Sequence, residues 1–313
     1  MSALLRDFAK NVARANKTCC RRANGRRAKP RVRRTRMSAL NLTPFCIKQT
    51  KLMKDFDPFL KLFAPDPYAS GLIDFPDPRT FDFEPQAFIT GDEFYYFTEV
   101  VAFGGDLSVE NLRRAYRLGI FPWAVGSCPT PWYCPEKRAI LEFKNLHVPR
   151  SLRKAQVKSD LTLTIDRAFS AVIENCAAIG RRRPPEMNED NGERAVEFST
   201  WITDEFIQGF TALHRSGDAH SVEAWDADGN LVGGLYGVDA GGAFCGESMF
   251  HQRSNASKLC FLHLVEHLGA RGATWLDVQM MTPHFAVLGA HEIDRSEFLD
   301  KLDKTLAQAL KLF

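Results

Sequence analysis

Long apolar runs, metal-binding motifs and nucleotide-binding loops are all absent from this sequence. No apolar run approaches the roughly 18 to 20 residues that a membrane span needs. There is no Cys-x-x-Cys pair, no Cys and His spacing that suits zinc, no Walker loop, no dinucleotide fingerprint and no nucleophile elbow. We therefore expect no membrane span, and we expect the eight cysteines to be free thiols in a reduced compartment.

Acidic residues are nearly absent from the start of the chain. Residues 1–54 carry 16 Lys or Arg and one acid, Asp7, which gives this tail a net charge of +15 and leaves −12 for the rest. Such a self-repelling segment is predicted to be disordered on its own. Two interpretations stay open: residues 1–36 are a transit peptide or a nucleic-acid-binding arm, or translation starts later, at Met37 or Met53. The expected compartment is the cytoplasm, or an organelle of a eukaryote if the tail is a transit peptide.

The remaining composition predicts one or two domains of the α/β (α+β) class. About 45% of the chain is apolar, which is enough for a core without metals or disulfides. The Pro, Phe and Asp content of residues 55–97 favours an extended segment laid on a neighbouring surface. The predicted domains are a small N-terminal one over residues 98–137 and a larger one over residues 138–313. A polar surface insertion is predicted at residues 180–198.

The most informative stretch is an apolar hairpin pattern followed by a helix and a strand. Residues 231–238 and 243–250 are apolar runs on either side of a Gly-rich turn, which predicts a buried antiparallel hairpin. Ser257 is a candidate N-cap for the next helix. Residues 274–280 then have the pattern of a further strand.

Three polar residues stand among these apolar runs: Glu247, Asp277 and Gln279. Burying a carboxylate or an amide costs free energy unless the group is paired or used. In a regular strand, Asp277 and Gln279 would point to the same face. We therefore predict a candidate site at these three residues, with a structural salt bridge as the alternative for Glu247.

A basic helix is predicted after Pro149, a residue that suits the first helical turn. Its cations recur at helical spacing, so that much of the positive charge shares one side. This basic cluster consists of Arg150, Arg153, Lys154 and Lys158. On a body with net negative charge, the cluster is a candidate for docking a phosphate backbone, and a solvated charged face is the alternative.

Several short motifs resemble, in the same order, those of the leucyl/phenylalanyl-tRNA protein transferase family. The matching motifs are AFGGDLS (residues 102–108), GIFPW (119–123), TWIT (200–203), AHSVE (219–223), GGLYGV (233–238), GESMF (246–250), NASK (255–258) and LDVQ (276–279). The resemblance covers roughly residues 98–302.

The resemblance implies both a fold and an activity. The implied fold is a small N-terminal domain plus a larger domain like the GCN5-related N-acetyltransferases, with a mixed sheet flanked by helices. The implied activity is transfer of Leu or Phe, with Met as a further candidate, from charged tRNA to the α-amine of proteins that begin with Arg or Lys. Through the N-degron pathway, this transfer marks proteins for degradation. The expected partners are Leu-tRNA, Phe-tRNA and these proteins; no metal or organic cofactor is implied, and a monomer is expected.

The resemblance also implies roles for individual residues. It places Gln279 at the aminoacyl ester, with Asp277 orienting it. It places Trp132 at the terminal adenosine of the tRNA and Trp201 at the aminoacyl end, whereas core packing is the alternative for any single ring. Glu247 is a candidate for holding the α-ammonium of the aminoacyl group or for attracting the incoming basic N-terminus. An amide is not a strong base, so whether any protein group removes the proton stays open.

Two further parts of the substrate site are predicted. The family uses the matching basic cluster for the tRNA acceptor stem. An apolar and adaptable pocket for the Leu or Phe side chain is expected from the residues that lie near the site in sequence: Met249, Phe250, Phe261 and Leu264. Such a pocket distinguishes large apolar side chains by only about 1 to 3 kcal/mol per methylene.

Two other classes of function stay open. An acyl-CoA N-acyltransferase is the chief rival because such enzymes share the implied fold. Their pyrophosphate-binding loop contains a Gly-x-Gly pair at a helix start, and residues 251–258 lack these glycines. A non-catalytic tRNA- or RNA-binding protein would account for the basic tail and the basic helix, but it leaves Glu247, Asp277 and Gln279 unexplained.

Overall fold

The structure, a computed structural model, describes residues 71–84, 86–90, 93–126, 128–181 and 200–313. The predicted basic tail (1–54), most of the first half of the Pro-rich segment and nearly all of the predicted insertion (180–198) lie outside these residues. In the described ranges, no helix combines the length and the apolar character that crossing a membrane requires.

The N-terminal part of the described chain contains a hairpin and a small sheet. Strands β1 (Gln86–Thr90) and β2 (Glu93–Phe97) pair antiparallel. Strands β3 (Val100–Phe103), β4 (Phe121–Pro122) and β5 (Pro131–Tyr133) form a three-stranded sheet in the order β3-β5-β4. Helix α1 (Val109–Arg117) lies between β3 and β4 in the chain. The Ser108 side chain caps this helix by accepting a hydrogen bond from the backbone N–H of Asn111.

The larger sheet is mixed and has seven strands in the described residues, in the order β12-β6-β11-β10-β9-β8-β7. These strands are β6 (Lys137–Glu142), β7 (Thr162–Ile165), β8 (Ala219–Trp225), β9 (Leu231–Asp239), β10 (Phe244–His251), β11 (Trp275–Gln279) and β12 (His291–Asp294). Strands β10 and β11 pair in parallel, and their sheet neighbours pair antiparallel. The predicted hairpin is confirmed as β9 and β10.

Helices cover both faces of this sheet. They are α2 (Arg150–Val157), α3 (Phe169–Arg181), α4 (Asp204–Arg215), α5 (Ala256–Gly269), α6 (Pro283–Val287) and α7 (Arg295–Leu306). Two hydrophobic cores result. The first core contains Trp275 with side chains of α1, α3, α4 and α7, and the second contains Leu276 with side chains of α5. Because Trp275 and Leu276 are neighbours on β11, the cores lie on opposite faces of the sheet. The expected class, a mixed sheet flanked by helices after a small N-terminal part, is confirmed.

The start of α5 differs from the sequence prediction. Ser257 is not the N-cap: the helix begins at Ala256 after Asn255, which has a φ of 66°, and Ser257 is buried in the first turn. Close packing on β9 explains the earlier start, since a Cβ added at Gly233 would lie 2.5 Å from the Cβ of Ala256. The helix start is therefore fixed by contact with the sheet rather than by a side-chain cap.

Candidate active site

Strand β10 carries a β-bulge at Glu247. Its neighbours Gly246 and Ser248 pair with consecutive residues of β9, Gly237 and Tyr236, so that Glu247 is an extra residue in the strand. The residue as a whole is half-buried, but the carboxylate is enclosed. Its Oε2 atom is inaccessible to solvent.

Strand β11 carries a second irregularity, next to the first. Asp277 and Gln279 pair with consecutive residues of β6, and Gln279 has a left-handed φ of 60°. The regular alternation of side chains between the two faces of the strand, which was expected for Asp277 and Gln279, is therefore interrupted. Instead, the backbone N–H of Gln279 donates to Asp277 Oδ1 at 2.8 Å, and the side-chain Nε2 of Gln279 donates to Glu247 Oε1 at 2.6 Å. The three residues predicted as a site thus lie together.

Asp277 has a buried partner that the sequence analysis missed. Arg138, on β6, donates from Nε to Asp277 Oδ1 at 3.0 Å and from Nη2 to Oδ2 at 2.7 Å. Its guanidinium lies between the rings of Phe121, at 4.6 Å, and Phe298, at 4.5 Å. Arg138 and Asp277 are 1% and 0% exposed. Burial lowers the pKa of Arg138, but the charge of Asp277 and the hydrogen bonds to it together more than offset this effect, so the pKa is raised above its ordinary value.

The protonation of Glu247 is set by its surroundings. Burial raises the pKa of this carboxyl from 4.5 to about 8, and hydrogen bonding by Tyr116 and Gln279 only partly opposes the rise. The nearby charge of Asp277 adds to the rise, whereas that of Arg138 acts against it. At neutral pH the carboxyl of the free protein therefore keeps its proton for most of the time.

This shift predicts a pH-dependent effect of Glu247→Gln. The unfolded chain loses the proton near pH 4.5, whereas the folded protein keeps it until about pH 8. The free energy of unfolding of the unaltered protein therefore falls as the pH rises through this window, at up to about 1.4 kcal/mol per pH unit. The Gln variant has no such proton to lose, so its stability relative to the unaltered protein should increase from pH 5 to pH 8.5.

Urea unfolding at several pH values measures this trend. The control is Glu266→Gln, which removes an exposed carboxylate from α5. As the pH rises, the difference in the free energy of unfolding between Glu247→Gln and the unaltered protein should grow. The control should show no change of comparable size. Parallel curves for Glu247→Gln and the unaltered protein across the window would contradict the assigned protonation.

Trp132 lies in the first core rather than at a surface. It is 0% exposed, its Nε1 donates to the carbonyl oxygen of Gly104 at 2.8 Å, and its ring meets Phe75 edge-on at 4.9 Å. A ring enclosed in this way presents no free face to a base. The role at the terminal adenosine predicted for Trp132 does not fit this position, and core packing, the alternative, describes it.

Trp201 lies at the boundary between core and solvent. Its ring stacks on Trp123 with centroids 4.6 Å apart and meets Phe206 edge-on at 5.6 Å. Both tryptophans are partly exposed. Trp201 therefore has the accessibility that a substrate contact needs, and its role at the aminoacyl end stays a prediction.

The four residues predicted as a side-chain pocket do not lie together. Phe261 and Leu264 belong to the second core, and Met249 packs against it. Phe250 belongs to the first core. Because Met249 and Phe250 are neighbours on β10, they point to opposite faces of the sheet. Phe250 is therefore not part of a pocket with the other three.

The basic cluster is placed as the sequence predicts. Helix α2 starts directly after Pro149 and is anchored by Leu152, which is 4% exposed. The cations Arg150, Arg153, Lys154 and Lys158 are exposed. None of them forms an ion pair with another residue in the described part of the chain. The helix thus presents uncompensated positive charge to solvent.

Comparisons with known proteins place the sequence in one family. The model of the leucyl/phenylalanyl-tRNA protein transferase family matches residues 140–303, and the model of the N-terminal domain of the same family matches residues 105–136. A leucyl/phenylalanyl-tRNA–protein transferase from Pseudoalteromonas atlantica is 45% identical over 207 residues, which are 66% of this chain and 82% of that protein.

The chain belongs to the leucyl/phenylalanyl-tRNA protein transferase family. Two further transferases of this family show the same similarity. The one from Desulfatibacillum aliphaticivorans is 46% identical, over 66% of this chain and 83% of its own length. The one from Psychrobacter cryohalolentis is 41% identical, over 74% of this chain and 80% of its own length. Among solved structures, FemX matches with a TM-score of 0.38 and 11% identity, over 59% of this chain and 66% of its own.

In this member of the transferase family, the missed residue Arg138 could have been predicted from the sequence by one further step. An Asp predicted to be buried requires a buried cation. Arg138 stands directly before the apolar residues 139–141 of a predicted domain start, which is where a strand leaves the surface. In the described ranges, no group of three or more His, Cys, Asp or Glu side chains is arranged to hold a metal ion.

Proposed function

We propose that this protein is an aminoacyltransferase that moves Leu or Phe from charged tRNA to the α-amine of a protein and forms a peptide bond. The observation that carries the proposal is the placement of Gln279 at the end of β11, in a chain of this transferase family: its backbone N–H donates to Asp277, and its side-chain amide donates to Glu247. Gln279 is assigned to the aminoacyl ester, and Asp277 to the orientation of Gln279.

The reaction needs orientation rather than a protein nucleophile. The attacking neutral amine forms the amide bond as the ester bond to the tRNA ribose breaks, and the amine proton ends on the ribose oxygen or in solvent. The ester is already activated, so positioned hydrogen-bond donors and exclusion of water are the contributions expected of the protein. The nearby thiol of Cys245 is unsuited to attack, because burial raises its pKa well above the ordinary value.

The side chain of the transferred residue is assigned to the second core. Met249, Phe261 and Leu264 remain the candidates after Phe250 is removed from the set. These side chains contain no group that needs a hydrogen-bond partner, and the flexible Met side chain adapts to bound side chains of different shape. Such a pocket accepts Leu and Phe, and it extends the proposal to Met.

The acceptor is assigned to proteins that begin with Arg or Lys, whose modification marks them for degradation. The net charge of −12 outside the basic tail supports a preference for basic N-termini. A monomer acting in the cytoplasm completes the proposal.

A transfer assay tests the reaction and the acceptor class together. The full-length protein is incubated with tRNA charged with radiolabelled Leu and with peptides that begin with Lys, Arg or Ala. We expect label in the Lys and Arg peptides and none in the Ala peptide or in an N-acetylated Lys peptide. Binding of charged tRNA without transfer would favour an RNA-binding protein, and the absence of both would lead to tests with acyl-CoA donors.

The basic cluster yields a separate prediction about tRNA binding. Replacing Arg150 and Arg153 together with Ala should weaken binding of tRNA, because two phosphate contacts are lost. The slope of log K against log salt should become less steep by about 1.4 to 1.8. Binding titrations at several salt concentrations measure both effects.

The matched control removes the same charge elsewhere. Lys304 and Lys311 are exposed and lie on and after α7, outside the basic cluster. Their joint replacement with Ala should leave the salt slope nearly unchanged. An equal change of slope in the two double variants would show that α2 has no special part in binding.

A further inference from the structure

Gln279 stands in a backbone turn that needs support from its surroundings. It is the last residue of β11 and has a φ of 60°, in the left-handed region that residues other than glycine rarely adopt. The backbone N–H of Met280 donates to the carbonyl oxygen of Val278 at 2.7 Å, so that three residues form a tight turn with Gln279 at its centre. A turn of this kind persists only where other contacts hold it.

The carboxylate of Asp277 supplies one of these contacts. Its Oδ1 accepts from the backbone N–H of Gln279 at 2.8 Å and from Nε of Arg138 at 3.0 Å. Its Oδ2 accepts from Nη2 of Arg138 at 2.7 Å. One oxygen therefore binds the turn and the guanidinium together. The two-bond pairing with Arg138 fixes the plane of the carboxylate, and with it the direction in which Oδ1 meets the turn.

The guanidinium of Arg138 is itself held by two aromatic rings. The ring of Phe121 lies at 4.6 Å from its central carbon and the ring of Phe298 at 4.5 Å. Phe121 belongs to β4 of the small sheet and Phe298 to α7, whereas Arg138 lies on β6. Because protein interiors are close-packed, the guanidinium cannot turn away from Asp277 without moving one of these rings. The conformation at Gln279 is therefore linked to the small sheet and to α7.

We propose that Arg138 is a positioning residue of the transfer reaction, which fixes the carboxylate of Asp277 and, through it, the turn that places the Gln279 amide. This inference rests on the proposed function and deepens it, because it adds a residue that acts on the reacting centre through two others. Lys in place of Arg138 keeps the positive charge. Its single ammonium, however, cannot hold both carboxylate oxygens in one plane and cannot stack on the rings.

A double-mutant cycle between Arg138→Lys and Gln279→Ala tests the proposal. The rate of a single turnover from Leu-tRNA to a Lys peptide is measured at saturating tRNA for the unaltered protein, each single variant and the double variant. Arg138→Lys should lower this rate by about tenfold to a hundredfold, the size that a misplacement of about 1 Å produces, and should leave the affinity for charged tRNA unchanged. In the Gln279→Ala background the same change should have no further effect, because the amide that it misplaces is absent.

A second variant, Phe298→Leu, covers the case in which thermal unfolding shows that Arg138→Lys does not fold. This change keeps the ion pair and removes one of the two rings beside the guanidinium. It should lower the single-turnover rate severalfold, and this loss should also vanish in the Gln279→Ala background.

The matched control is Arg113→Lys. Arg113 of α1 also donates two hydrogen bonds to one carboxylate, that of Asp218, but this carboxylate accepts its further bond from the hydroxyl of Ser216 rather than from the turn at the site. The control variant should transfer at the rate of the unaltered protein.

The outcomes separate this proposal from the proposed function. A loss of rate by the same factor in both backgrounds would show that Arg138 acts only through the stability of the fold, and it would overturn the proposal, as would an unchanged rate in a folded Arg138→Lys variant. A Gln279→Ala variant as fast as the unaltered protein would overturn the roles of Gln279 and Arg138 while the transfer activity stands. Absence of transfer by the unaltered protein would overturn the proposed function itself.

Discussion

Replacing Arg138 with Met will lower the free energy of unfolding by about 3 to 5 kcal/mol. The change leaves the carboxylate of Asp277, which is 0% exposed, without its cation. It also removes the guanidinium that fills the space between Phe121 and Phe298. The loss is measured by denaturant unfolding at pH 7.

Two further variants separate the charge from the packing. Asp277→Leu combined with Arg138→Met removes both charges, and this double variant should recover much of the lost stability, because apolar residues often replace a buried ion pair without loss. Lys137→Ala breaks the neighbouring ion pair with Asp294, which is exposed, and should change the free energy of unfolding little, because solvent screens the pair. A loss for Arg138→Met no larger than that for Lys137→Ala would show that the buried pair is dispensable.

Replacing Gln279 with Ala will reduce turnover by about a hundredfold or more, while the affinity for charged tRNA changes little. The side chain is assigned to the reacting ester, and its amide is held by Glu247 at 2.6 Å. The backbone of the variant keeps the left-handed conformation, since Ala and Gln carry the same Cβ. Single-turnover transfer and tRNA binding are measured on the same preparation.

Gln252→Ala is the matched control, because Gln252 is an exposed amide just beyond β10 that bonds to Asn175. It should transfer at nearly the rate of the unaltered protein. If Gln279→Ala lost turnover and tRNA affinity by the same factor, Gln279 would be a binding residue and not part of the reacting centre.

The candidate site shows which features of the fold can be predicted from local sequence patterns. The hairpin follows from its two apolar runs, and the basic helix follows from Pro149 and the spacing of its cations, which are signals that act over a few positions. Lys137 and Arg138 are adjacent and alike in charge, yet one is exposed and the other is 1% exposed. Arg138 directly precedes the apolar residues 139–141, which is the local hint of its burial, whereas its partner Asp277 lies 139 positions away.

Two predictions were wrong, the placing of Trp132 at the tRNA and the inclusion of Phe250 in the pocket, and their physical origins differ. Aromatic residues between prolines can point inward or outward, and the sequence near Trp132 contains no signal that decides between them. The pocket error was avoidable, because Met249 and Phe250 are consecutive residues of a predicted strand and must face opposite ways. The bulges at Glu247 and in β11 have no sequence signature here, and they determine how Glu247 and Gln279 meet.

The buried arginine also constrains how the protein is made. Arg138 and Asp277 are 139 positions apart, and Phe298 is synthesised later still. At about 5 to 20 residues per second, a ribosome needs on the order of 10 s to add the carboxylate that neutralises this cation. During that interval the first strands of the large sheet cannot close around Arg138, so the nascent chain cannot complete the candidate site until most of it has been translated.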